Sequence, residues 1–436
     1  MITLQSRYRG LQNILIAFTT ACFSCLSLQQ LLAESPSETR VRIVVHVPTE
    51  AVSAPDEAAG SPAETVIHPP KPPRIYLAGN LRALGQWKPN GLLLTRATDG
   101  TYQGEFLAPA GSQVECKITQ GSWQQVEKNS QGLDIPNRRL AIEPAVNEAV
   151  QEFRVSVEGW AKPTTGKSTV TGSLVLHEEL ASEFLPAKRT VAVWLPPGYD
   201  QNTDRYPVLY MHDGQNLFDS ATAAFGTEWQ ADETASRLIA QQEICPLIIV
   251  GIWNTPDRID EYTVSRDAQS ERGGNGLNYI RFLADELKPM IDRNYRTLTN
   301  RDSTVTGGSS LGGLISIHAC IHRPDIFGGC AAISPSLGWA DERILTELST
   351  ETRLPIEARI WLSMGAREGR DESTRTAAVD RCRRLHELLT SADQKSDRNI
   401  LFLEAKEGTH DERAWSRQLP DALRFLFPPL TPDKAE

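Results

Sequence analysis

The chain has 436 residues, a formal net charge of −10, and 40% apolar and 23% charged residues. Its length exceeds one ordinary core and points to two domains, and its composition is that of a soluble globular protein rather than a disordered chain or a polytopic membrane protein. The acidic balance argues against nucleic acid or anionic membrane as a partner, because phosphate binding needs clustered Lys and Arg.

In chain order, the first segment is a targeting signal. Arg7 and Arg9 precede an apolar stretch from Ile14 to about Leu28, and small or polar residues follow at Ala33, Glu34 and Ser35. This reads as a secretory signal at 1–33, a mature start near Glu34, and a secreted or periplasmic product. Leu31 is large for the third residue before a cleavage point, so an uncleaved anchor, or a lipid on Cys22 or Cys25, stays open. A short linker, 34–40, follows.

From 41 to 158 the pattern is that of a small all-β sandwich. Residues 41–46 alternate like a strand, a loop rich in Pro, Ala, Ser and Glu runs to Pro73, and strand-like pieces recur at 74–78, 102–107, 114–119 and 153–157 between Gly, Pro, Asn and Asp. A second linker, 159–172, is rich in Gly, Thr, Lys and Pro. From 173 to 430 apolar runs alternate with helical patterns, as in an α/β domain with a mostly parallel central sheet. The predicted strands are 190–195, 208–211, 246–252, 303–306, 328–333, 360–364 and 400–405, several of them continuously apolar, as strands covered on both faces should be. Between them Leu277, Ile280, Leu283, Leu287 and Ile291 predict one apolar helical face. The five cysteines beyond the signal, Cys116, Cys245, Cys320, Cys330 and Cys382, have irregular spacing and read mostly as buried filler, with one disulfide left open.

The chemistry gathers after the strand ending at Thr306. There Gly308-Ser309-Ser310-Leu311-Gly312 fits G-x-S-x-G between a strand and a helix, the nucleophile elbow of an α/β-hydrolase. Glycines flank the serine because the sharp turn leaves no room for side chains. Ser310 is the predicted nucleophile, and the backbone N–H of Leu311, at a helix N-terminus, faces the developing oxyanion. A serine hydroxyl needs a base near neutral pH, and His410 follows the last predicted strand, where this fold carries its histidine. The third member should be an acid between them in sequence; Glu368, in the loop after 360–364, leads, with Asp371 second. A second oxyanion donor is expected from Gln215 or Gly214, in the loop after 208–211. His318 and His322 lie four apart on the helix after the elbow, but no carboxylate completes a zinc pattern, so no metal and no cofactor are expected.

These residues resemble the family of esterases that includes esterase D, feruloyl and acetyl esterase domains, enterochelin esterases and mycolyltransferases. The carriers are Tyr206 to Gly214, Glu261-Tyr262, Gly308 to Gly313, Gly365-Ala366-Arg367-Glu368, and Gly408-Thr409-His410-Asp411 with Trp415. The resemblance implies nucleophile and base roles for Ser310 and His410 and an acid at Glu368, where many members have Asp. The front region resembles a starch-binding module of carbohydrate-binding family 20, through residues 75–80, 84–87, 114–118 and Asn137-Arg138. That resemblance implies α-glucan binding, with Trp87 and Trp123 as stacking rings and Asn137 as a polar contact; a sandwich in which Trp87 is core is the competing reading.

The resulting expectation is an exported serine carboxylic ester hydrolase acting through an acyl-serine on an acylated or carbohydrate-linked ester. A glycan-binding protein with a non-catalytic hydrolase scaffold, and acyl transfer to a sugar, remain the alternatives.

Overall fold

The computed structural model describes residues 38–47, 72–132, 134–144, 149–161, 168–224, 226–350, 358–369, 371–390 and 399–429. The stretch 1–33, read from the sequence as a secretory signal, lies outside them, as does most of the Pro/Ala/Ser/Glu loop before Pro73.

The front region is a β-rich unit with its own core. Its strands are β1 (Glu38–His46), β2 (Ile75–Gly79), β3 (Leu92–Arg96), β4 (Tyr102–Pro109), β5 (Gln113–Thr119), β6 (Glu127–Lys128), β7 (Arg138–Ala141), β8 (Gln151–Ser156) and β9 (Gly159–Trp160). Seven form one sheet in the order β7-β5-β2-β3-β4-β1-β8, and β6 pairs with β9. Val41, Ile43, Ile75, Leu77, Val114 and Ile118 fill its interior, placed there by the two-residue period of their strands. Strand β3 was not legible as a strand. Its three successive leucines do not alternate, because it pairs briefly with β2 and with β4 where the sheet turns from one half to the other. Two linker boundaries also shift: β1 starts at Glu38, inside the 34–40 stretch read as linker, and 159–160 form β9 rather than linker.

The second unit is α/β-hydrolase-like. Strands β10 (Ser173–Leu180), β11 (Arg189–Leu195), β12 (Val208–His212), β13 (Ile248–Ile252), β14 (Thr304–Ser309), β15 (Gly329–Ile333), β16 (Arg359–Gly365) and β17 (Ile400–Ala405) form a sheet in the order β10-β11-β13-β12-β14-β15-β16-β17. From β13 to β17 all pairings are parallel, and β10 and β11 are antiparallel additions at one edge. Along β12, Val208 and Tyr210 enter one core while Leu209 and Met211 enter the other. Both faces are covered, so the sequence reads as a continuous apolar run. Each fully buried Val, Leu or Ile contributes roughly 1.5–3 kcal/mol. Strand β10 escaped the sequence reading because it is an exposed edge whose short apolar stretch, Leu174 to Leu176, does not alternate and gives way to His177, Glu178 and Glu179.

The helices that matter for the site are α1 (Ala231–Ala240), α2 (276–294), α3 (Leu311–His322), α4 (Trp339–Thr350), α5 (Glu372–Thr390) and α6 (Glu412–Leu426). Helix α3 packs on one sheet face through Leu314, Ile315 and Ile317, and α6 on the other through Trp415, Leu419 and Leu423. The expected stripe on α2 is corrected at its start: Ile280, Leu283, Leu287 and Ile291 are buried, but Leu277 is 46% exposed. The middle of α2, Phe282–Leu287, is a π-helix, whose wider turn shifts the register so that Tyr279 and Ile280 stay on the apolar face and Leu277 leaves it. All five cysteines are buried and free. Among the described residues no helix is long and apolar enough to cross a membrane.

Candidate active site

Parallel strands β12 and β14 lie side by side, with Met211 beside Gly307, so the turns that follow them emerge at the same sheet edge. Ser310 is the single residue between β14 and α3, at φ 57° and ψ −122°, a conformation a side chain adopts only under strain. The turn closes because its neighbours are small. A Cβ on Gly308 would stand 3.1 Å from the Gly312 carbonyl carbon and 3.1 Å from His212 Cβ. Leu311 is the first residue of α3, so its N–H has no acceptor within the helix.

Ser310 Oγ lies 3.1 Å from His410 Nε2, and His410 Nδ1 lies 2.7 Å from Glu368 Oε2. Three residues from the ends of β14, β16 and β17 thus form one hydrogen-bonded chain. The other oxygen of Glu368 accepts from Gly365 N at 3.0 Å and from Ser334 Oγ, and Ser334 Oγ in turn accepts from Trp415 Nε1 at 3.1 Å. The Trp415 ring stands edge-on to the His410 ring, 4.9 Å between centroids. Glu368 is therefore held by donors on one side and addresses the imidazole with the other. Asp371, the second acid weighed from sequence, instead accepts from Thr374 N at 2.8 Å at the start of α5.

The neighbours crowding His410 oppose its charging, but the Glu368 carboxylate outweighs them and raises its pKa above the ordinary 6.5. The ring keeps an outer edge open to solvent, with 47% of the side chain exposed. His212 differs. It is buried, contacts the Tyr279 hydroxyl at 3.0 Å and Thr306 Oγ1 at 3.2 Å, and burial lowers its pKa to about 3. It is a neutral packing residue beneath the elbow.

The loop after β12 approaches the elbow on the other side. Gly214 sits so close to β13 that a Cβ would fall 2.3 Å from the Gly251 carbonyl carbon. Gln215 follows in a 3₁₀ turn, Gly214–Asn216, and its side-chain oxygen accepts from Asn254 N at 3.2 Å. Asp213, at φ 56°, is clamped by Arg258 through two bonds of 2.7 Å, and its carboxylate lies 3.5 Å from the Cβ position of Gly312. Burial opposes its charge, yet Arg258 and Asn254 keep its pKa below the usual carboxylate range.

Several contributing residues were not singled out from sequence. Ser336 Oγ lies 3.1 Å from Ser310 Oγ. Arg189, fully buried, pairs at 2.9 Å beneath the loop after β13 with Glu261 of the Glu261-Tyr262 motif already legible in the sequence, whose Tyr262 hydroxyl accepts from Asp213 N at 3.2 Å. Glu412, the first residue of α6, is buried at this edge, and burial together with Asp134, Asp213 and Asp411 raises its carboxyl pKa to about 8. A lone Ser, Arg or Glu carries no spacing signal, and only folding brings these to the site. The loop 254–276 is tied down: Arg272 pairs with Asp260 at 2.6 Å, and Trp339 Nε1 donates to Ser265 O at 2.8 Å.

In the front unit Trp87 and Trp123 are half-buried in separate turns, Trp87 at φ 67°, and Asn137 Nδ2 donates to Glu115 Oε2 at 3.3 Å. The turn carrying Trp87 touches the second unit: Gln86 Nε2 donates to Ser270 O, and Arg272 donates to Gln86 Oε1, each at 3.3 Å. His318 and His322 stack at 5.7 Å between ring centroids, with burial lowering His318 to about 3.

Residues 182–426, more than half of the chain, match the family model described as "Putative esterase". The chain belongs to this esterase family. Among its relatives, the uncharacterized protein YbbA of Bacillus subtilis is 27% identical over 252 residues, covering 56% of this chain and 95% of YbbA. Ferri-bacillibactin esterase BesA of the same organism is 29% identical over 216 residues, covering 44% of this chain and 70% of BesA. An alpha-amylase of Niallia circulans is 41% identical over 86 residues, which are 20% of this chain and 6% of the amylase.

Proposed function

We propose that this esterase is an exported serine carboxylic ester hydrolase working through an acyl-serine. The observation that carries the reading is the chain Ser310–His410–Glu368, with contacts of 3.1 and 2.7 Å. His410 Nε2 takes the Ser310 proton as Oγ attacks the ester carbonyl, while Glu368 holds the ring's other N–H and stabilises the imidazolium. The carbonyl oxygen becomes an oxyanion, received by the N–H groups of Leu311 and Gln215, one from each neighbouring turn. His410 then passes its proton to the leaving alkoxide. A water enters, loses a proton to His410 and releases the acid, and Ser310 regains its hydroxyl.

The substrate class we propose is an acylated or carbohydrate-linked ester. Names among the relatives support ester substrates, and the amylase likeness supports an α-glucan-binding role for the front unit, residues 41–158, ahead of a hydrolase unit at 173–430. Trp87, Trp123 and Asn137 are its proposed contacts. Export rests on the signal-like segment 1–33.

Ser310→Ala should remove hydrolysis of a small aryl ester, with the thermal unfolding curve unchanged. Full turnover by that variant ends the proposal. A broad ester panel with no turnover by the wild-type chain, combined with retention on insoluble starch, would favour the glycan-binding scaffold instead.

A further inference from the structure

Away from the sheet edge, three carboxylates converge where the connector between the two units meets helix α1. Glu228 precedes α1, and Asp232 and Glu233 lie in its first turn; their ligand oxygens all fall within 4.8 Å of one another. The connector bonds one oxygen of two of them: Thr169 Oγ1 donates to Glu228 Oε1 at 2.6 Å, and Thr171 N donates to Asp232 Oδ2 at 2.5 Å. The remaining oxygens, Glu228 Oε2 and Asp232 Oδ1, and with them Glu233 Oε2, are buried, and among the described residues no donor from outside the cluster reaches them, Asp232 and Glu233 facing each other as hydrogen-bond partners. Asp232 is fully buried and Glu228 is 8% exposed.

Buried carboxylate oxygens normally find a donor or a cation, because leaving them bare forfeits their hydration. None of the three takes part in an ion pair with Lys, Arg or His among the described residues. The positive end of α1 favours negative charge there but offers these oxygens no hydrogen. Three hard oxygens from three carboxylates are the ligands a divalent cation of the calcium type selects. Magnesium usually keeps several waters and is held by one or two carboxylates, so three protein carboxylates suit calcium better.

We propose that Glu228, Asp232 and Glu233 bind a calcium ion that fastens the connector, residues 168–171, to helix α1. Ser168 and Thr169 also bond Asp219, Ser168 Oγ donating to its Oδ2 at 2.6 Å, so the ion completes a polar clamp. Its role is structural, since no member of this cluster belongs to the Ser310 chain.

The test uses the full chain. Terbium, a calcium mimic, should give sensitised emission from the adjacent buried Trp229, and calcium should displace it. Calcium on the order of 1 mM should raise Tm by roughly 4 °C over EDTA, and magnesium should not. Asp232→Asn and Glu228→Gln should each abolish both effects; if either fails to fold, Glu233→Gln serves in its place. Absence of terbium emission with equal Tm in calcium and EDTA overturns the proposal, leaving shared protons as what holds the carboxyl groups together. Emission that survives all the substitutions overturns it too, by placing the ion elsewhere.

Discussion

In the proposed mechanism Glu368 and His410 divide the work of making Ser310 reactive. Because the carboxylate raises the His410 pKa, the neutral base is present only above that value, and the acid limb of kcat/KM should have its midpoint above 6.5. Glu368→Gln removes the charge and should move that midpoint down while lowering kcat by roughly 10³ to 10⁴; a pH profile of aryl ester hydrolysis reads both. An acid limb unmoved by this substitution would disqualify Glu368 as the partner of the imidazole. The same pairing makes a stability statement. A histidine with a raised folded pKa adds stability fully present below about 6.5 and lost as pH rises through the folded value.

At the scale of elements, the site depends on two turns seated by glycines and on one buried ion pair. Gly214→Ala places a Cβ 2.3 Å from the backbone of β13, so the turn bearing Gln215 must move. We expect a loss of about 1–3 kcal/mol in urea unfolding and a lower kcat, because the proposed oxyanion donor, Gln215 N–H, shifts with the turn. Arg189→Met leaves the Glu261 carboxylate buried without its partner and should cost about 3–5 kcal/mol. Adding Glu261→Leu should restore most of that loss, and denaturant melts of the single and double variants decide it. Elements with a clear period were legible in the sequence: β12 and β13 read as apolar runs because both their faces are covered, and the apolar residues of α2 from Ile280 onward show helical spacing. Elements whose form is set by neighbours were not legible, among them the corner strand β3, the edge strand β10 and the π-helix that exposes Leu277.

Across the whole molecule, charge from the front unit reaches the sheet edge that carries Ser310. Glu412, with a carboxyl pKa raised from 4.5 to about 8, feels Asp134 of the front unit after its own burial. A carboxyl with a raised folded pKa costs nothing below about 4.5 and penalises the folded state increasingly as pH climbs toward 8. Glu412→Gln should therefore raise Tm at pH 8 by about 3 °C or more and leave it unchanged near pH 4.5. Asp134→Asn should give a smaller gain with the same pH dependence. Equal effects at both pH values would show a packing change rather than a titration. The sequence by itself determined the local features: the G-x-S-x-G turn, the strands and helices with strong periods, and a histidine and an acid each placed just after a strand. Those follow from backbone sterics and apolar spacing, which act over a few residues. The tertiary structure alone decided that Glu368 and not Asp371 meets His410, that Ser334 and Trp415 brace the acid, and that Glu412, Glu228 and Asp232 are buried. Each is a contact between residues distant in the chain, set by strand order and helix packing rather than by any pattern within a segment.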